Sequence, residues 1–202
     1  MLRATDLAVE RGGKPLFEAI DLSLQPGELL HVSGPNGSGK TTLLRVLGGL
    51  TEPVAGEIHW QNKLLSEEPD HFRESLLYIG HRNGMHADLN AIENLQLATS
   101  ANKSPKDIQI ALQTVGLGEH VSKPLRHLSQ GQQRRVALSR LLLEQRLLWI
   151  LDEPLASLDV QAIDWFSSCL ERHLQNGGMA ILTTHQEASF ISQVTCRVVL
   201  NA

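Results

Sequence analysis

The chain has 202 residues, 42% of them hydrophobic and 20% charged, and its 18 Lys and Arg against 22 Asp and Glu leave a formal charge of −4. That balance suits one domain with a sizeable core, and the mild acidic excess argues against a nucleic-acid binder that works by neutralising phosphates. With no apolar run near the roughly 20 residues of a membrane span, no apolar signal core in MLRATD and no CxxC pair at Cys169 or Cys196, a chain of a reducing compartment is expected.

The first thirty-odd residues read as short strands. Apolar and polar residues alternate over Ile20-Asp21-Leu22-Ser23-Leu24, the period of a strand with one buried face, and Pro26-Gly27 makes a turn. Residues 29–33 read as a strand that enters a glycine-rich loop, after which Leu43, Leu44, Leu47 and Leu50 recur at helical spacing. A further short strand is expected at 56–60. From about His81 to Leu143 the period becomes helical. Asn90 with Glu93 looks like a helix cap with an acidic first turn. Ser104-Pro105 opens another helix, with Ile108, Ala111, Leu112 and Val115 on one face and Gly116 closing it. Ser129 with Gln132 fits a capping box for a third. Residues 147–151 are apolar throughout, as suits a central parallel strand covered on both sides. Gly177-Gly178 precedes a second such strand at 180–183, and Val198-Val199-Leu200 is the last apolar stretch. The pattern is α/β: a core of residues 1–80 and 144–202, a helical segment at 81–143, and no C-terminal accessory domain expected.

Gly34-Pro35-Asn36-Gly37-Ser38-Gly39-Lys40-Thr41 matches GxxxxGK[ST] between a strand and a helix. Its glycines let backbone N–H groups turn inward around phosphate oxygens, and the helix start adds partial positive charge. In such a loop Lys40 reaches the β- and γ-phosphates and the Thr41 hydroxyl binds Mg²⁺; Thr42, next in line, is counted with the nucleotide site. The strand at 147–151 ends in Asp152-Glu153, at the crevice where α/β proteins bind ligands. Asp152 suits Mg²⁺ held through water, and Glu153 suits polarisation of an attacking water. Leu128-Ser129-Gln130-Gly131-Gln132 places a hydroxyl and a glycine N–H at a helix start: either a second small anion site or a plain cap. One chain does not easily bring both anion sites to one nucleotide, which hints at completion by a second copy.

GPNGSGKT, LSQGQ, ILDEP, Ser157-Leu158-Asp159 and Thr183-Thr184-His185 occur in the order of the ATP-binding-cassette (ABC) ATPases, which the chain resembles over essentially its whole length. The resemblance implies a P-loop NTPase with a RecA-like core, N-terminal antiparallel strands and an inserted α-helical subdomain. It implies ATP and Mg²⁺ as ligands. It also implies a head-to-tail homodimer, each ATP lying between the P-loop of one subunit and Ser129, Gly131 and Gln132 of the other. In that reading the catalytic residues are Glu153 as base, His185 on the γ-phosphate and Lys40, while Asp159 lies in the segment linking the two sites. Two positions depart from the family pattern. Where an aromatic usually stacks on adenine this chain has Glu10-Arg11-Gly12, so Arg11 either stacks through its planar guanidinium or is a surface residue. Where Gln usually stands at the entry to the helical insertion, it has His81, whose imidazole has a shorter reach and a protonation that varies near neutrality.

Ile79-Gly80-His81 with Asn83-Gly84, LSQGQQRRVALSRL, LWILDEP and Thr184-His185-Gln186 together are similar to the haem-exporter ATP-binding subunits of bacterial cytochrome c-type biogenesis. That resemblance implies a peripheral subunit on the cytoplasmic face of the inner membrane, bound to integral membrane permease subunits, whose hydrolysis drives haem delivery or release of a haem-loaded chaperone. The remaining histidines, His31, His59, His71, His86, His120, His127 and His173, show no HxxxH or CxxCH spacing, so no direct haem binding is expected. Another small exporter's ATPase and a soluble cassette protein of translation or DNA repair stay open as alternatives. The single cassette and the negative charge weigh against the latter.

Overall fold

The computed structural model describes residues 1–11, 14–99, 103–185 and 194–200. Two sheets form its frame. In the first, β1 (Leu2–Arg11) pairs antiparallel with β2 (Lys14–Leu24) on one side and with β4 (Ala55–Trp60) on the other, and β4 turns back into β5 (Lys63–Leu64). In the second, β6 (Leu76–Ile79), β7 (Leu148–Leu151), β8 (Met179–Thr183), β3 (Leu29–Ser33) and β9 (Cys196–Val199) lie side by side in that order, all parallel. The helices are α1 (Lys40–Leu47), α2 (Pro69–Ser75), α3 (Ala91–Ala98), α4 (Pro105–Thr114), α5 (Gln130–Leu138), α6 (Arg140–Leu143) and α7 (Val160–Gln175).

The parallel strands alternate their side chains between two cores, the period-2 rule applied to a sheet covered on both faces. Leu30, Val32, Leu148, Ile150, Met179 and Ile181 face one core, shared with Leu43, Leu44, Val46 and Leu47 of α1 and the inner face of the first sheet. Leu29, Trp149, Leu151, Ala180 and Leu182 face the other, shared with Phe166, Leu170 and Leu174 of α7. A third cluster joins Leu95, Ile108, Leu112 and Val136 from α3, α4 and α5. Helix α5 spans two of these clusters, since Val136 belongs to the third while Ala137 and Leu138 pack on the main sheet. The three anticipated caps are present as full capping boxes at Asn90/Glu93, Ser104/Asp107 and Ser129/Gln132.

Several elements differ from the sequence reading. The opening strands are long, not short, and β-bulges interrupt their register. Leu50 is no part of the apolar face of α1: the helix ends at Leu47, and Leu50 is 48% exposed. Gly49, at φ 64, lets the chain leave by a Schellman turn, with Leu50 N–H donating to Arg45 O and Gly49 N–H to Val46 O. Leu147 and Val199, read as apolar strand residues, are exposed at a strand edge or beyond it. Helices α2 and α7 and strand β6 were not anticipated as elements.

Ile150 is fully buried in the core between the sheets. Ile150→Ala should cost about 2–5 kcal/mol in urea unfolding. Val160→Ala, at a site 72% exposed, should stay within about 0.5 kcal/mol of the parent.

Candidate active site

All five strands of the parallel sheet present their C-terminal ends to one edge, and the site is assembled there. From β3 the chain passes through residues 34–39 into α1. The first turn of α1 carries no side-chain cap and no acidic residue, so its N-terminal N–H groups face the loop without a competing anion. The Lys40 ammonium is buried and donates to the carbonyls of Gly34 (2.7 Å) and Pro35 (3.0 Å), which holds it across the loop. The Ser38 hydroxyl is buried with no hydrogen-bond partner among the described residues.

Asp152 continues β7, its N–H donating to Ile79 O, and the residue is 2% exposed. A buried carboxylate needs donors. Asp152 has the Thr41 hydroxyl on Oδ2 (2.7 Å) and the Thr183 hydroxyl on Oδ1 (2.8 Å). Thr183 in turn accepts the Glu153 N–H at 2.9 Å, so one hydroxyl serves both acidic residues. Glu153 has φ 50, in the left-handed region that a non-glycine residue enters at a cost. Its Oε1 is buried without a hydrogen-bond partner among the described residues and stands 3.4 Å from His185 Nε2. That distance is within ion-pair range but lacks hydrogen-bond alignment. His31 Nε2 lies 3.4 Å from the Thr184 carbonyl, just before His185, and burial pulls its pKa below the ordinary histidine value.

Lys40, Thr41, Thr42, His81, Asp152, Glu153 and His185 line one cleft of about 410 Å³ together with Asn36, Gly37 and Gly39. Thr41 and Asp152 offer hard oxygen donors 2.7 Å apart, which fit a small divalent cation that prefers oxygen ligands. The remaining sequence candidates lie elsewhere. Ser129 caps α5, with Gln132 answering in the capping box. Gly131 packs against a backbone: a Cβ there would stand 2.4 Å from the Ser157 carbonyl, so only glycine fits. Asp159 caps α7 through the Ala162 N–H and pairs with Arg135. Arg11 ends β1, and its side chain lies outside the described residues.

Two contributors escaped the sequence reading. Thr183 was noted only as part of a motif, yet it clips Asp152 to Glu153. Arg134 was an unremarked member of the QQRR run and is 4% exposed beneath Asp152 and Glu153. A basic residue in a polar run carries no burial signal of its own.

A phosphate-cradling loop facing a strand-end Asp-Glu pair defines a P-loop ATPase, and the family model described as ABC transporter matches residues 17–156. The chain belongs to the ABC transporter family. Among curated relatives it is 47% identical over 192 residues to the cytochrome c biogenesis ATP-binding export protein CcmA of Dechloromonas aromatica (strain RCB), covering 94% of each chain. It is 45% identical over 201 residues to the CcmA of Pseudomonas aeruginosa, covering 98% of this chain and 99% of that one. A solved structure described as an ATP binding subunit of an ABC transporter superposes with a TM-score of 0.87 at 26% identity, over 99% of this chain and 85% of that one.

Thr183→Val removes the shared hydroxyl and leaves Asp152 Oδ1 and the Glu153 N–H short of partners. It should cost about 1–3 kcal/mol in chemical denaturation; an unchanged midpoint would contradict the clip.

Proposed function

We propose that this chain is the ATP-hydrolysing subunit of a transporter that serves haem export in cytochrome c biogenesis. The reading is carried by one observation: Lys40, Thr41, Asp152, Glu153 and His185, from three separate segments, line a single cleft in a chain nearly half identical to proteins named for that export.

The chemistry follows from the side chains. Lys40 and the N–H groups opening α1 supply positive charge to the β- and γ-phosphates of ATP. Thr41 and Asp152 would hold Mg²⁺, which when bound neutralises charge on the phosphate oxygens. Glu153 Oε1 accepts a proton from a water whose oxygen bonds to the γ-phosphorus. The bond from that phosphorus to the β–γ bridging oxygen breaks, leaving ADP and phosphate. His185 approaches from the strand beside Glu153 and contacts the γ-phosphate, and His81 lines the same cleft. Positioning and charge stabilisation do most of the catalytic work.

Ser129, Gly131 and Gln132 do not line this chain's own cleft, which supports their service to a second copy in a head-to-tail homodimer. Asp159 then lies in the linking segment, and Arg11 is the candidate for adenine. The division into a nucleotide-binding core (1–80 and 144–202) and a helical subdomain (81–143) fits this reading, since β6 and β7 are joined through the helices α3 to α6. No helix of the described residues is long and apolar enough to cross a membrane. The span of the transporter is therefore assigned to integral membrane permease subunits, with this chain peripheral on the cytoplasmic face of the inner membrane. Neither nucleic acid nor direct haem binding enters the reading.

Glu153→Gln should lower kcat by about 10²–10⁴ while ATP binding survives, and Lys40→Ala should weaken ATP affinity by calorimetry. Hydrolysis by Glu153→Gln at the parental rate would remove Glu153 as base. A deletion strain should lack c-type cytochromes and recover them with the parental gene but not with Glu153→Gln. Normal c-type cytochromes in that strain would sink the haem-export assignment and leave the ATPase reading standing.

A further inference from the structure

A guanidinium carries five N–H donors in a rigid fork, and burying it without partners is prohibitive. Arg134 uses all five. Nε donates to Pro154 O (3.3 Å), Nη1 to Gly80 O (2.8 Å) and Asn83 Oδ1 (2.9 Å), and Nη2 to Asp152 O (2.8 Å) and Glu153 O (3.0 Å). These acceptors belong to two segments only: the turn that leaves β6 and carries His81, and the turn that leaves β7 and carries Glu153. The side chain comes from a third element, α5, and is 4% exposed.

The geometry explains the unusual backbone at Glu153. Along an extended strand successive carbonyls point to opposite sides. The φ of 50 at Glu153 breaks that alternation, and the carbonyls of Asp152 and Glu153 meet the same Nη2. Burial draws the guanidinium pKa down to about 10, against the opposing pull of the Asp152 and Glu153 carboxylates. Arg134 therefore stays charged at neutral pH, and its field reaches both acidic residues.

We propose that Arg134 is a positioning residue for hydrolysis: its fork holds the Glu153 backbone in the left-handed conformation that aims the carboxylate into the cleft, and locks that backbone to the turn bearing His81. The inference rests on the assignment of Glu153 as base. It has a mechanical consequence. His81, Arg82, Asn83 and Arg134 also line a groove of about 760 Å³ beside the cleft, so a load on that turn reaches Glu153 through the Arg134 side chain as well as through the backbone bond from Asp152 N–H to Ile79 O.

The test compares Arg134→Lys, Arg134→Gln and Asn83→Ala with the parent, all as the full chain. Lysine keeps the charge but has three donors on one atom and cannot bridge two turns. For Arg134→Lys, kcat for ATP should fall about 10- to 100-fold, the loss expected of a base displaced by a fraction of an ångström. KM for ATP should hardly move, because Lys40 and the α1 N-terminus are untouched. Hydrogen exchange should quicken in residues 80–83 and 152–156 and stay parental in residues 40–47. Asn83→Ala removes one acceptor at the surface-facing turn and should show a smaller kcat loss of the same kind, which keeps the proposal testable if neither Arg134 variant folds. Parental kcat in folded Arg134→Lys, or a kcat loss matched by a rise in KM, would overturn it. Glu153→Gln run in the same assay separates the two assignments. If Glu153→Gln is inactive and Arg134→Lys is fully active, only the positioning role fails; if Glu153→Gln hydrolyses normally, the base assignment fails first.

Discussion

The buried carboxylate of Asp152 is the interaction on which the site depends. It gathers hydroxyls from Thr41 on α1 and Thr183 on β8, positions 111 and 31 residues away in the chain. A charge on a residue 2% exposed is tolerable only with such donors, and each hydroxyl is placed by a different element. The strand order makes this possible. β8 lies directly between β7 and β3, so Thr183 reaches Asp152 from the neighbouring strand. Thr41 reaches it by way of the helix that β3 feeds. Reversing any one of these strands would carry its contribution to the far edge of the sheet.

Rigidity around Asp152 is what permits a strained residue next to it. Glu153 stands in the left-handed region, and no intrinsic preference of glutamate keeps it there. The conformation is over-determined from outside: Thr183 takes its N–H, Arg134 takes its carbonyl, and the strand before it is buried on both faces. Strain of this kind persists only where the surroundings impose it, and it collects at functional sites. Its effect here is to bring Oε1 within 3.4 Å of His185 Nε2 instead of letting the carboxylate continue along the strand direction.

What could be read in the sequence was what short spacing encodes. The phosphate loop, the Asp-Glu pair at a strand end and the capping boxes are each complete within a few residues, and local chemistry dictates them. Helix α7 was encoded equally well: Asp159 caps it, and Ala162, Phe166, Cys169, Leu170 and Leu174 recur on its buried side. Asp164, Ser167, Ser168, Glu171 and Arg172 interleave with them and dilute the pattern to the eye. Strand β6 has four residues, too few for a period to show. The long opening strands hid because bulges break their alternation, with Asp6 and Ala19 at positive φ. Thr183 and Arg134 lay beyond any local reading. Their partners are 31, 30, 54, 51, 18, 19 and 20 residues distant, and only the finished topology brings them together.

Helix α5 ties several distant segments together. Adjacent residues on a helix project about 100° apart, and Arg134 and Arg135 use that divergence. Arg134 turns inward to the backbone of Asp152, Glu153 and Pro154, while Arg135 reaches Asp159 at the cap of α7 and the Val115 carbonyl at the end of α4. Three residues before Arg134 on the same helix, Gly131 bears directly on the Ser157 carbonyl, at another left-handed non-glycine residue. The start of α5, the segment from Ser157 to Asp159 and the backbone of Glu153 are thus tied to one rigid rod by contacts that leave little slack. A short, fully hydrogen-bonded helix cannot shift at one end without moving the other. In the proposed dimer, a second subunit that repositions Ser129 and Gly131 would act through this helix on the Glu153 carboxylate, the proposed base.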